Sequence, residues 1–141
     1  MGLLSLTACT HKETGPSIDE VVGEYNASLK WTGGSGWDVY SVKKFTVSKS
    51  ATESDVLIID IIIDEYTREA WKINYLKGGS LAMKRQVLYE NPTIYGYTTK
   101  KSQEATGNVK GDSLFLDGEI FFEPNNIWGQ TFCKYRAKKK R

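Results

Sequence analysis

Asp55-Val56-Leu57-Ile58-Ile59-Asp60-Ile61-Ile62-Ile63-Asp64 is the stretch from which the fold class can be read. Leu57, Ile59, Ile61 and Ile63 fall on every second position, so an extended chain presents them as one wholly apolar face. Asp60 shares the other face with Val56, Ile58, Ile62 and Asp64. The uninterrupted apolar face takes the core, so Asp60 is expected to point outward. That position denies it the desolvation that a buried acid or base requires. The run is also far shorter than the ~18–20 apolar residues that span a bilayer as a helix.

The same period of two extends in both directions. Toward the N-terminus, Tyr25, Ala27, Leu29 and Trp31 alternate with polar residues over 23–31. The stretch 37–48 carries Tyr40 and Val42 on one parity and Phe45 and Val47 on the other, which predicts a bulge near Lys43-Lys44. Toward the C-terminus, Trp71, Ile73 and Tyr75 point inward from 69–76. Gly78-Gly79 reads as a two-residue hairpin turn into 80–89, which carries Leu81, Met83, Val87 and Tyr89. Asn91-Pro92 is expected to break the chain before strands at 93–99 and 105–110. Gly111-Asp112 turns into 113–123, where Leu114, Leu116, Ile120 and Phe122 alternate across a bulge at Asp117-Gly118. A last strand covers 129–138. Ser17-Ile18-Asp19-Glu20 is a capping-box pattern for one helical turn ending near Gly23. Connections this short exclude parallel crossovers. The expected fold is all-β: an antiparallel meander of about eight strands closing into a lipocalin-like β-barrel, with a short N-terminal helical turn.

Composition narrows the function. Net charge is only +2, so the domain as a whole is no polyanion binder, and nucleic acid is not an expected partner. Lys134, Arg136, Lys138, Lys139, Lys140 and Arg141 crowd the C-terminus. They read as a solvated last strand and tail, the alternative being attraction to an anionic surface. His11 is the single histidine, so a histidine-based triad or multi-histidine metal centre is excluded from the folded part. No catalytic residue, metal or cofactor is expected. Asp117 and Glu119 share a face, which for neighbours two apart on a strand usually means water.

Leu6-Thr7-Ala8-Cys9 has the form of a lipobox, preceded by apolar Leu3-Leu4-Ser5-Leu6 and followed by a polar segment. On this reading 1–8 is a signal-peptide remnant, 9–16 a lipid-anchored polar tether and 17–141 the β-barrel domain. Acylation of Cys9 would anchor the domain to a membrane, placing it in a bacterial cell envelope, at the outer membrane. With Cys9 acylated, Cys133 has no disulfide partner and is expected as a free, poorly reactive thiol facing the core.

In order along the chain, the lipobox, Val22-Gly23-Glu24-Tyr25, Gly79-Ser80-Leu81-Ala82-Met83 with Gln86, and Gly107-Asn108-Val109-Lys110-Gly111-Asp112-Ser113-Leu114 resemble the lipocalin-like (calycin) lipoproteins of Bacteroides-type bacteria. The resemblance implies a fold and a compartment rather than an activity. Typical lipocalins open with Gly-x-Trp, covered by an Arg of the last strand. Here Gly23-x-Tyr25 stands in that place, with Arg136 as the implied cover.

Two surfaces are candidates for function. Trp31 and Trp37 flank Gly33-Gly34-Ser35-Gly36, which reads as a mobile barrel-mouth loop, so Tyr25, Trp31, Gly34 and Trp37 are the expected ligand-binding residues. Phe115, Phe121 and Phe132 fall on outward parities and are expected to form one outer aromatic patch. Either a partner or the N-terminal turn, through Ile18 and Val21, would cover it. The function expected is non-catalytic binding of a small apolar or amphipathic ligand in the barrel. The alternative is a protein-interaction module, such as an inhibitor or an accessory subunit of an envelope complex.

Overall fold

The computed structural model describes residues 15–32, 37–65, 68–94, 97–123 and 131–141, with the side chains of 37–38 and 89–99 outside that description. Helical turn α1 (Ile18–Val21) precedes nine strands: β1 (Gly23–Thr32), β2 (Trp37–Ser41), β3 (Lys44–Lys49), β4 (Val56–Ile62), β5 (Arg68–Tyr75), β6 (Ser80–Ile94), β7 (Tyr97–Lys110), β8 (Ser113–Glu123) and β9 (Thr131–Lys139). Every ladder is antiparallel; β1 pairs with both β2 and β3, the later strands pair with their sequence neighbours, and β9 returns to pair with β1 from Tyr25↔Lys139 to Trp31↔Cys133. The sheet therefore closes on itself as an all-β, lipocalin-like barrel. β2 and β3 together make one of its eight staves, so closure removes the edges that an open sheet would expose.

The stave formed by β2 and β3 contains the expected bulge. Three steps along β1, from Tyr25 to Ser28, are matched by four from Phe45 back to Ser41. The extra residue at Val42-Lys43 flips the parity, so Tyr40 and Phe45 both face inward. The clearest strand behaves as its pattern dictates: Leu57, Ile59 and Ile61 are buried and Asp60 is exposed.

Four local expectations are corrected. The β5–β6 hairpin turns on three residues, Lys77–Gly79, rather than two, with Gly78 and Gly79 both at positive φ. Asn91-Pro92 does not end a strand: β6 runs to Ile94, and 97–110 is one continuous β7. Between Met83 and Gln86, β6 holds one more residue than β7 does between Ala105 and Gln103. That bulge turns Val87 outward, to 47% exposure, although its parity in sequence matches Met83. Finally, β8 passes straight through Asp117-Gly118 with unbroken register to both neighbours, so there is neither bulge nor turn. Glycine is needed there for a different reason. A Cβ on Gly118 would lie 2.1 Å from the Glu104 carbonyl oxygen, and one on Gly107 would lie 1.8 Å from that of Phe115. The two glycines let β7 and β8 coil tightly past each other.

β5 and β6 pair through only two register positions, Asn74↔Ala82 and Tyr75↔Leu81. Beyond them Gln86 takes over the ladder's work. Its Nε2 donates to the Lys72 carbonyl at 2.7 Å, and its Oε1 accepts from the Lys72 amide at 2.8 Å.

One end of the barrel is plugged by α1. Val21 is fully buried, and the Tyr25 hydroxyl donates to its carbonyl at 2.6 Å. The Glu20 carboxylate accepts from the Ser17 amide at 3.0 Å, which holds the turn together. Above the plug, four rings meet edge to face in sequence: Tyr25–Phe45 at 6.0 Å, Phe45–Trp71 at 6.4 Å and Trp71–Tyr135 at 4.7 Å between centroids. Such contacts add about 0.5–1.5 kcal/mol each beyond the area they bury. The rings and the aliphatic residues of β4, β5 and β8 fill this half of the interior.

Candidate ligand-binding cavity

The other half of the barrel is not filled. Beyond the ring stack lies a cavity of about 310 Å³ lined by Leu29, Trp31, Tyr40, Ile63, Asp64, Lys101, Ile120, Phe122 and Tyr135. It owes its shape to alternation on five strands, β1, β2, β7, β8 and β9, which deliver inward residues to the same end, and to Ile63 and Asp64 just past β4. Trp31 and Tyr40 are diagonal neighbours across the β1–β2 ladder, their rings stacked at 27° with centroids 6.2 Å apart. They make one aromatic wall, while Ile120 and Phe122 of β8 belong to another.

Polar groups converge on the floor. Glu69, whose side chain is fully buried, forms an ion pair with Lys101, whose side chain is 11% exposed. The second Glu69 oxygen accepts from the indole Nε1 of Trp71 at 3.1 Å. A carboxylate in this position is tolerable because a cation and a hydrogen-bond donor both reach it. Tyr135 is 1% exposed, and its hydroxyl has no hydrogen-bond partner among the described residues. Burial pushes its pKa well above the ordinary tyrosine value, with Cys133 and Glu69 acting in the same direction, so the hydroxyl stays protonated. Gln103, the next inward residue after Lys101 on β7, is fully buried with neither amide atom paired among the described residues. Unpaired buried polar groups cost about 1–3 kcal/mol each, so two at one place call for an explanation.

Of the residues expected at the mouth, Trp31 lines the cavity. Trp37 starts β2, but its side chain lies outside the described residues, as do Gly34 and Cys9. Tyr25 is placed elsewhere, at the plugged end, where burial first, then Asp112 and Tyr75, push its hydroxyl up to about 12. Arg136 does not cover it. The parity of β9 puts Arg136 outside, where it bonds Asp117 at 2.8 Å and lies 5.3 Å from the Phe115 ring.

Charged side chains lie among the outer aromatics. Arg136 sits over Phe115, and the Arg85 guanidinium stacks 3.7 Å above Phe121. Asp117 and Glu119 occupy the same face between those two rings, and Phe132, opposite Glu119, is 40% exposed. The N-terminal turn covers none of the three, because its apolar residues are committed to plugging the barrel.

Sequence reading passed over Tyr40, Lys101, Tyr135 and Glu69. Glu69 did carry a signal, since it shares the parity of Trp71 and Ile73. Lys101 carries none, because it lies between the stretches 93–99 and 105–110 in which the pattern predicts strands.

No group of three or more His, Cys, Asp or Glu side chains suited to a metal occurs among the described residues, and no helix among them is long and apolar enough to cross a membrane. No protein-family model, curated protein or solved structure matches the chain.

Proposed function

We propose that this protein is a lipid-anchored β-barrel of the bacterial cell envelope, held at the outer membrane through Cys9, that binds a small apolar or amphipathic molecule without transforming it. The half-empty barrel carries this reading. A cavity of about 310 Å³ with aromatic and aliphatic walls and a few converging polar groups has the make-up of a small-molecule site. The polar groups argue for binding rather than catalysis, since the Glu69–Lys101 pair is internally neutralised and the Tyr135 hydroxyl holds its proton. The lipobox and the likeness to lipocalin-like lipoproteins support the compartment.

Two measurements test the two halves of the proposal. Titration with a panel of small apolar and amphipathic compounds is expected to change tryptophan fluorescence and raise the melting temperature, with Trp31→Phe removing much of the fluorescence change. A panel without response in either observable refutes ligand binding. Metabolic labelling with a palmitate analogue, in a bacterium expressing the chain behind a complete signal peptide, is expected to label the wild type and not Cys9→Ser. Equal labelling of both refutes the anchor.

The alternative, a protein-interaction module, draws on β2. Among the described residues its ladder is to β1 alone, and Val39 is 62% exposed. A strand of five residues is a short edge, however, and the cavity is the larger departure from an ordinary packed barrel.

A further inference from the structure

The chemistry of the cavity narrows its occupant, given the binding role proposed above. Size comes first. A dry cavity of about 150 Å³ holds one benzene, so about 310 Å³ holds on the order of a dozen non-hydrogen atoms. Long-chain fatty acids, retinoids and sterol acids exceed that volume.

Charge comes second. Lys101 is the cation of the cavity, and it is already in contact with Glu69, whose side chain is fully buried. A carboxylate entering the floor would have to compete with that contact while giving up its own hydration. An ammonium would meet the Lys101 charge, with Glu69 already engaged. Asp64, the other charged residue of the lining, is exposed, so the buried floor has no net charge to offer a charged ligand.

Hydrogen bonding comes third. Tyr135 lines the cavity and its buried hydroxyl is unpaired among the described residues; the Gln103 amide, which is not part of the lining but follows Lys101 on the interior face opposite Ile120, is likewise unpaired at both atoms. Both are uncharged groups that can donate and accept. The walls above them, Leu29, Trp31, Ile63 and Phe122, are apolar.

We propose that the cavity selects an uncharged amphiphile of about a dozen non-hydrogen atoms, an alcohol or primary amide on a short apolar or aromatic body, whose polar head is held by the Tyr135 hydroxyl. The apolar body lies between the Trp31–Tyr40 wall and Phe122. A site with unpaired buried polar groups discriminates strongly, because a ligand without a matching head leaves them unpaired.

The test uses three probes of equal chain length, octanol, octanoate and octylammonium, titrated against the whole protein by calorimetry and tryptophan fluorescence. Octanol is expected to bind about ten-fold more tightly than either ion, the scale of one well-made hydrogen bond. Tyr135→Phe removes only the hydroxyl and is expected to weaken octanol by about five- to ten-fold, leaving the ions unchanged. Octanoate or octylammonium binding as tightly as octanol overturns the proposal, even if the variant fails to fold. A folded Tyr135→Phe protein with unchanged octanol affinity overturns the role of the hydroxyl. If all three probes fail while larger apolar compounds bind, the present inference falls and the binding role stands. If nothing binds, both fall.

Discussion

Replacing Lys101 by methionine tests the interior of the barrel most directly. Methionine keeps most of the apolar stem and removes the ammonium. The Glu69 carboxylate, with its side chain fully buried, then keeps the Trp71 indole bond at 3.1 Å but loses its cation. Breaking a buried pair from one side costs about 3–5 kcal/mol, because the remaining charge is left uncompensated. Lys101 retains 11% side-chain exposure, so some solvent reaches the pair and the lower end, about 3 kcal/mol, is expected. Against a total stability of about 5–15 kcal/mol this is a large fraction. At about 2–4 °C per kcal/mol for domains slightly larger than this one, the melting temperature should fall by roughly 10 °C. Urea unfolding followed by tryptophan fluorescence is the assay, with the midpoint and slope compared to show that the unfolded state is unchanged. The double variant Glu69→Gln with Lys101→Met removes both charges. It should recover most of the loss and give a coupling energy of about 2 kcal/mol. A loss below about 1 kcal/mol for Lys101→Met, or strict additivity in the cycle, would mean that the pair behaves as a surface pair and would refute the account of the floor.

Cys133 is fully buried, and burial in the first place raises its thiol to about 12, with Lys101 lowering it and Glu69 raising it again. Native protein should therefore react with a thiol reagent only at the rate of unfolding, and rapid labelling would contradict the burial. The unfolded chain loses this proton from about pH 9 upward while the native state holds it to about pH 12. The thiol's contribution is thus intact below about pH 9 and declines above it, by at most about 1.4 kcal/mol per pH unit. Cys133→Ala should flatten the stability profile between about pH 9 and pH 10, and an unchanged slope there would count against the shift. Asp60→Asn, at an exposed position on β4, should change stability by no more than about 0.5 kcal/mol in urea unfolding, and a loss of several kcal/mol would place the carboxylate inside. Gly107→Ala should cost about 3–5 kcal/mol, since its Cβ would sit 1.8 Å from a backbone oxygen on β8 that cannot rotate away. A variant as stable as wild type would mean that the β7–β8 crossing is looser than described.

Much of the architecture was legible because alternation is a local property. The inward faces of β1, β4, β5, β8 and β9 follow from every-second-residue patterns, and Cys133 falls inside with Thr131, Tyr135 and Ala137 for the same reason. The bulge at Val42-Lys43 was legible too, because the parity change it causes is written in Tyr40 and Phe45. The bulge between Met83 and Gln86 was not. Lys84, Arg85 and Gln86 carry no apolar marker, so Val87 kept the parity of Met83 in sequence and lost it in the barrel. Asn91-Pro92 misled in the opposite direction. Proline signals a break, yet β6 extends through it to Ile94, a place where tertiary pairing overrides a local preference.

The sequence by itself determined an antiparallel all-β chain, the inward faces of β1, β4, β5, β8 and β9 and the outward position of Asp60, because each of these depends on residues two or four positions apart. Only the tertiary structure decided what those inward faces enclose. Glu69 and Lys101 are 32 positions apart, and the Tyr25–Phe45–Trp71–Tyr135 ring stack draws one residue from each of four strands. Their meeting depends on where closure through β1 and β9 and the bulges of β2–β3 and β6 set the register. That register packs aromatic rings into one half of the barrel and leaves the other half open around Tyr135. A filled half and an empty half are built from the same alternating pattern, so no count along a single strand distinguishes them.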